Sequence, residues 1–127
     1  MKPSCLCFRA GVVFVVVGMA WGLLMGASGD HATLAAHAHF NLLGFVSLFL
    51  FGFYYRLNPS VEMKAIARAQ VWIWIAGTIV LSLGVALVHT DHPIGDPFAA
   101  LGSIVVLLDA ILFGWLVFRA PAVESFA

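Results

Sequence analysis

The side chains best suited to chemistry are five histidines, His31, His37, His39, His89 and His92, with the carboxylates Asp30, Asp91, Asp96 and Asp109. Imidazole titrates near neutral pH, binds divalent metals and serves as an axial ligand to haem iron. His37 and His39 stand two residues apart, so on a regular helix they point roughly 200° from each other. They cannot share one metal ion, and the zinc-type pair at i, i+4 is absent. They must face two partners on opposite sides of their helix. His89 and His92 stand at i, i+3 and share a face if a helix continues through both. With Asp91 or Asp96 they form a second candidate group, suited to copper or zinc. The plainer reading of that group is a helix C-terminus stopped by Pro93, with histidine at the negative end of the dipole. Asp30, beside His31, reads as an N-cap for the helix that follows.

The elements that position these groups follow from composition. Of 127 residues, 63% are hydrophobic and 9% charged. A soluble domain is nearer half apolar and a quarter charged. So few charges cannot cover that much apolar surface in water, and the expected solvent is lipid. Four apolar stretches, at about 9–28, 33–55, 66–88 and 97–118, each match a hydrocarbon core of ~30 Å at 1.5 Å per residue. The short breaks between them carry Gly29, Pro59, Pro93, Gly95 and Pro97, which turn the chain. Short connections make neighbours antiparallel. The expected fold is all-α, a polytopic up-down four-helix transmembrane bundle in a single domain spanning 1–127.

Charge placement orients the bundle. Lys2, Arg9, Arg56, Lys64, Arg68 and Arg119 all fall at one end of the four spans. The positive-inside rule makes that end cytoplasmic, with both termini there. All the histidines then belong to the outer half. The zero net charge gives no reason to expect a nucleic-acid partner. Lys2 and Arg9 before an apolar run ending at Ala27-Ser28-Gly29 also read as a secretory signal peptide, whose removal leaves three spans. Cys5 and Cys7 are too close in sequence to bridge each other readily and read as free thiols of a reducing compartment, or as lipidation sites.

At 1.5 Å per residue, His37 and His39 lie about 6 Å and 9 Å below the outer interface. Imidazole at that depth is costly unless something holds it. A hydrogen bond to a neighbouring helix is the ordinary solution for one histidine; a pair favours a metal or haem. No Cys-x-x-Cys-His motif occurs, so haem would be held by ligation and packing alone. Asp109 lies mid-span, about 18 Å from the outer end. Thr78 and Ser47 are at similar depth and are its expected hydrogen-bond partners. A packing role and a proton role stand equal for this acid.

The run Ala36-His37-Ala38-His39-Phe40-Asn41-Leu42-Leu43-Gly44, continuing to Phe51-Gly52-Phe53-Tyr54-Tyr55-Arg56-Leu57-Asn58-Pro59, resembles the haem-copper oxidase superfamily. That superfamily includes the catalytic subunits of cytochrome c oxidase and nitric oxide reductase. The resemblance covers about 24 residues. It implies axial ligation of haem b by His39, and also by His37, with Asn41 and Gly44 lining the cofactor. The catalytic subunits have about twelve spans, arranged like three four-helix arcs whose second helices lie innermost. The present chain resembles one such arc. The resemblance therefore implies a homo-oligomer, a trimer above all, with haem between protomers. No separate histidine set with the family's copper spacing is found, so oxygen or nitric oxide reduction is not implied.

Two functions of different class remain, beside the blander reading of an accessory subunit with no cofactor. One is a b-type haem protein of a bacterial cytoplasmic membrane, transferring electrons to a redox partner the residues do not name, or sensing redox state or a gas. The other is a copper or zinc protein using the outer histidines. Reporter fusions test the common ground. Fusions at residue 127 and within 57–65 should read cytoplasmic, and a fusion near residue 94 periplasmic. A periplasmic C-terminus would rule out the four-span arrangement.

Overall fold

The computed structural model describes residues 1–120, and residue 127, the C-terminal fusion point, lies outside the described residues. Four long helices make up the fold: α1 (Pro3–Ser28), α2 (Leu34–Leu57), α3 (Ala65–His89) and α4 (Gly95–Phe118). Each is long and apolar enough to cross a membrane. A single helical turn, Pro59–Glu62, lies between α2 and α3.

The ends have local causes. Pro3 opens α1, where a missing N–H costs nothing and the fixed φ suits a helix. Gly29 closes it at φ 71°, donating its N–H to the Met25 carbonyl. Helix α1 begins six residues before the expected span, because its first turn is held by tertiary contact. The Ser4 N–H donates to Glu62 Oε1 at 3.3 Å, and the Ser4 hydroxyl bonds the same oxygen. A buried carboxylate thereby caps α1 from the α2–α3 connection. Cys7 is consequently a buried helical residue and Cys5 a half-buried one, both free thiols. Asp30 is not the N-cap of α2. Its carboxylate accepts the Ala32 N–H at 2.9 Å, shaping the turn, and α2 starts only after Thr33.

Helix α2 is not regular throughout. Residues Leu42–Ser47 widen into a π turn, which no periodicity in the sequence announces. Side chains also donate to carbonyls of this turn. The Ser47 hydroxyl donates to Leu42 O at 3.1 Å, and the Trp74 indole donates to Leu43 O at 2.9 Å.

Close backbone approaches join α1 to α2, α2 to α3 and α3 to α4, as short connections dictate, and α1 also touches α3. Helix α4 reaches α2 through aromatic rings, Phe51 stacking on Phe113 at 4.1 Å between centroids and edge-on to Trp74 at 4.8 Å. Where backbones touch, glycine is required. A Cβ at Gly84 would stand 2.6 Å from the Phe98 carbonyl carbon, and one at Gly102 would stand 2.8 Å from Leu81 Cβ. Small residues at such points let the helices associate by close packing.

These contacts set an expectation for two substitutions. Gly84→Leu should destabilise by about 1–3 kcal/mol or more, since backbone cannot yield as a side chain does. Gly26, with nothing within 4 Å, should accept Ala, with a gain of about 0.5–1 kcal/mol from helix propensity. Thermal unfolding in detergent checks both; equal midpoints for the two variants would refute the packing scheme.

Candidate functional site

The first stretch of α2, Leu34–Asn41, is regular helix, so the opposed directions expected of His37 and His39 are realised. His37 is half-buried towards α1. Its ring lies edge-on to Trp21 at 6.1 Å, and a Cβ at Gly22 would be 3.2 Å from His37 Cε1. Trp21 in turn donates its indole N–H to Thr33 Oγ1 at 3.0 Å, bracing the start of α2 against α1. Between α1 and α2 runs a cleft of about 590 Å³, lined by Met19, Gly22, Leu23, Gly26, His37 and Asn41 among others. That volume is in the range of small-molecule and cofactor sites.

His39 faces elsewhere and is exposed. Its Nδ1 lies 2.8 Å from the Ala35 carbonyl. A carbonyl only accepts, so Nδ1 carries a proton, and Nε2 has no hydrogen bond among the described residues. Backbone-anchored Nδ1 with free Nε2 is how ligating histidines are held. Along the same helix Leu42, Val46, Leu50, Phe53 and Leu57 are also exposed, each three or four residues after the last. His39 therefore heads a continuous apolar stripe.

Asn41 and Gly44 have partners within the chain. The Asn41 amide donates to His37 O at 2.9 Å and fills the space left by Gly18. Gly44 is buried beneath the Phe14 ring, whose Cε1 would stand 2.7 Å from an added Cβ. The cofactor-lining role expected of Gly44 is replaced by helix packing. Asn41 does line the cleft.

The outer pair is not a helical pair. Helix α3 ends at His89, and Asp91 adopts φ 56°, so the chain leaves the helix before His92. Both histidines are exposed, and His89 Nδ1 donates to Val85 O at 2.9 Å. His31 likewise bonds Gly29 O at 3.0 Å. Among the described residues no three of His, Cys, Asp and Glu stand close enough to hold a metal ion.

The other polar group of the interior was largely hidden in the sequence. Tyr55 Oη donates to Gln70 Oε1 at 2.7 Å, and Gln70 Nε2 donates to Asp109 Oδ2 at 2.6 Å. All three residues are buried, on α2, α3 and α4 in turn. The expected partners of Asp109 are otherwise engaged or unpaired. Ser47 bonds its own helix, and Thr78 Oγ1, Ser82 Oγ and Asp109 Oδ1 are buried without partner among the described residues. The reason is register. Gly84 opposite Ala99 and Gly102 opposite Leu81 place Asp109 level with Trp74, one turn from Gln70 and one from Thr78. The longer Gln70 side chain closes the gap. The three side chains tie α2, α3 and α4 to one another. The sequence signal that could have found it is Gln70, Trp74, Thr78 and Ser82 at four-residue spacing in an otherwise apolar span.

No protein-family model matches the chain, and no curated protein or solved structure matches it either.

This tie sets a stability expectation. Gln70→Leu strands the Tyr55 hydroxyl and the Asp109 carboxyl together, for a cost of about 2–4 kcal/mol. The double substitution Gln70→Leu with Asp109→Leu should cost less than the sum of its parts, because the groups share one network. Unfolding of the three variants in detergent measures this, and strict additivity would dissolve the network.

Proposed function

We propose that this chain is a multi-pass protein of a bacterial cytoplasmic membrane, with both termini cytoplasmic, that binds haem b through His39 and His37 for electron transfer or for sensing. The observation that carries the reading is the ring of His39: exposed, anchored at Nδ1 by Ala35 O, and free at Nε2. In water such a histidine is unremarked. In an apolar helix face about 8 Å from the helix start it is a polar group awaiting a partner.

The donor set fits the group. Two neutral imidazoles with opposed directions suit two flat ligands, one on each side of α2. Gly22 and Gly26 leave His37 beside an open cleft, and Met19 and Leu23 give that cleft apolar walls. Bound haem would supply a one-electron couple whose potential the two imidazoles tune. The chain's own residues would orient the imidazoles, through Ala35 O for His39 and through Trp21 and Asn41 around His37. The resemblance to one arc of the haem-copper oxidases supports the same residues.

A single protomer cannot clamp one haem between His37 and His39, since they diverge. In a ring of identical protomers, His39 of one chain and His37 of the next would together hold each haem, with heterologous contacts closing on three copies. The exposed stripe Leu42, Val46, Leu50, Phe53 beneath His39 is apolar enough to be the contact. The copper or zinc alternative has less support, since His89 and His92 do not share a helix face and lack a third donor among the described residues.

Purified protein should show a Soret band and a sharp low-spin α band. His39→Ala should abolish or shift that spectrum and His92→Ala should leave it intact. Native mass spectrometry with haem quantified on the same sample should give a trimer with about one haem per chain. Colourless protein carrying stoichiometric copper or zinc would overturn the haem reading, and a haem-loaded monomer with bis-histidine spectra would overturn the ring.

A further inference from the structure

At the end of the bundle opposite the histidines, two distant segments meet around a cleft of about 430 Å³. Its lining brings together Lys2 before α1, Lys64 at the N-cap of α3, and Arg68 in the first turn of α3. Glu62 also lines it, but its Oε1 is engaged by the Ser4 N–H and hydroxyl, and the residue is buried. Three cations therefore face the cleft, and the one acid in the lining is turned into the structure. Met63, which is 77% exposed, and Met1, 58% exposed, stand beside the cations on the same rim.

We infer that this cleft binds the phosphate of an anionic phospholipid headgroup. A phosphate ester offers several acceptor oxygens at one point, which suits converging ammonium groups and the guanidinium fork of Arg68. Basic pockets between transmembrane helices on the cytoplasmic side hold anionic headgroups in this manner. The methionines distinguish a lipid from free phosphate: a soluble anion makes no use of exposed thioether chains, whereas the glycerol and upper acyl region of a lipid does. Positive charge at this end is expected of any protein oriented by the positive-inside rule. That rule asks only for cations near the span ends. It does not ask residues 2, 64 and 68 to line one cavity, nor the acid beside them to be held by Ser4.

The inference rests on the membrane reading, which the reporter fusions test separately, and is independent of haem. The experiment uses the full chain in nanodiscs containing phosphatidylglycerol or phosphatidylcholine, released into native mass spectrometry, with retained lipid counted. Wild type should keep phosphatidylglycerol and not phosphatidylcholine. Lys64→Gln with Arg68→Gln should weaken retention by about thirtyfold, on the usual worth of two juxtamembrane cations. Arg119→Gln removes a cation at the same end that is held over the Trp115 ring, 5.0 Å from its centroid, and is absent from the cleft lining. It should leave retention unchanged. An excess of inorganic phosphate should not displace the lipid. Helical circular dichroism and a monodisperse elution profile establish that the variants are folded. Equal loss in Arg119→Gln would reduce the effect to bulk charge and overturn the site. Retention of phosphatidylcholine would do the same, and displacement by inorganic phosphate would reassign the cleft to a soluble anion and overturn the lipid assignment.

Discussion

Backbone-to-backbone contact between α3 and α4 sets the level at which the buried polar side chains of this bundle meet. Gly84, Gly95 and Gly102 let the two helices approach until the main chain of one lies against that of the other. Such contact has one register, because sliding either helix brings a side chain to where only hydrogen fits. That register carries Asp109 to the level of Trp74 and within reach of Gln70. Gln70, held at its other end by Tyr55, then ties in α2. Trp74, from the same face of α3, donates to Leu43 O in the π turn of α2. A glycine pattern on two helices thus decides how a third is bonded.

The π turn connects this framework to the histidines. Up to Asn41, α2 follows regular helical angles, and the opposition of His37 and His39 depends on that regularity. Beyond it the extra residue in the turn shifts the faces that follow, so the phase of Phe51 and Tyr55 is not the one a straight helix would give. The indole bond to Leu43 O and the hydroxyl bond to Leu42 O add side-chain donors to carbonyls of the widened turn. In hydrocarbon an unsatisfied carbonyl costs several kcal/mol, roughly the scale of a whole helix–helix contact.

Much of the architecture was legible because long apolar helices and the short polar breaks between them stand out in the sequence. Span number, lengths and antiparallel order follow from hydropathy and short polar breaks, and the observed helices agree except at Pro3, where contact with Glu62 extends α1. The direction of His37 and His39 was legible because two residues on a helix differ by a fixed angle. Partners were not legible. Asp109 was expected beside Thr78 and Ser47 on depth alone, but depth does not resolve one turn from the next. Gly44 has the small side chain that either a porphyrin or a phenyl ring could use, and only the fold shows that the ring is Phe14. His89 and His92 shared a face only on the condition that the helix continued. Thr90 and the left-handed Asp91 end it, a decision made by local turn chemistry that i, i+3 spacing cannot see.

The two ends of the molecule divide their chemistry in a way that follows from one chain reversing direction three times. Odd connections, after α1 and α3, gather Asp30, His31, His89 and His92; the even connection and the start of α1 gather Lys2, Glu62, Lys64 and Arg68. Between them the tie of Tyr55, Gln70 and Asp109 sits in the basic half, and the histidines of α2 sit in the other. Polar groups in the basic half are largely paired within the chain: Glu62 with Ser4, and Gln70 with both neighbours. In the histidine half the pairing is incomplete, since the Nδ1 atoms of His39 and His89 are tied to carbonyls while no hydrogen bond engages either Nε2 among the described residues. The two halves therefore differ in what they leave open: imidazole Nε2 atoms in one, and in the other three cations around a cleft and the buried Oδ1 of Asp109.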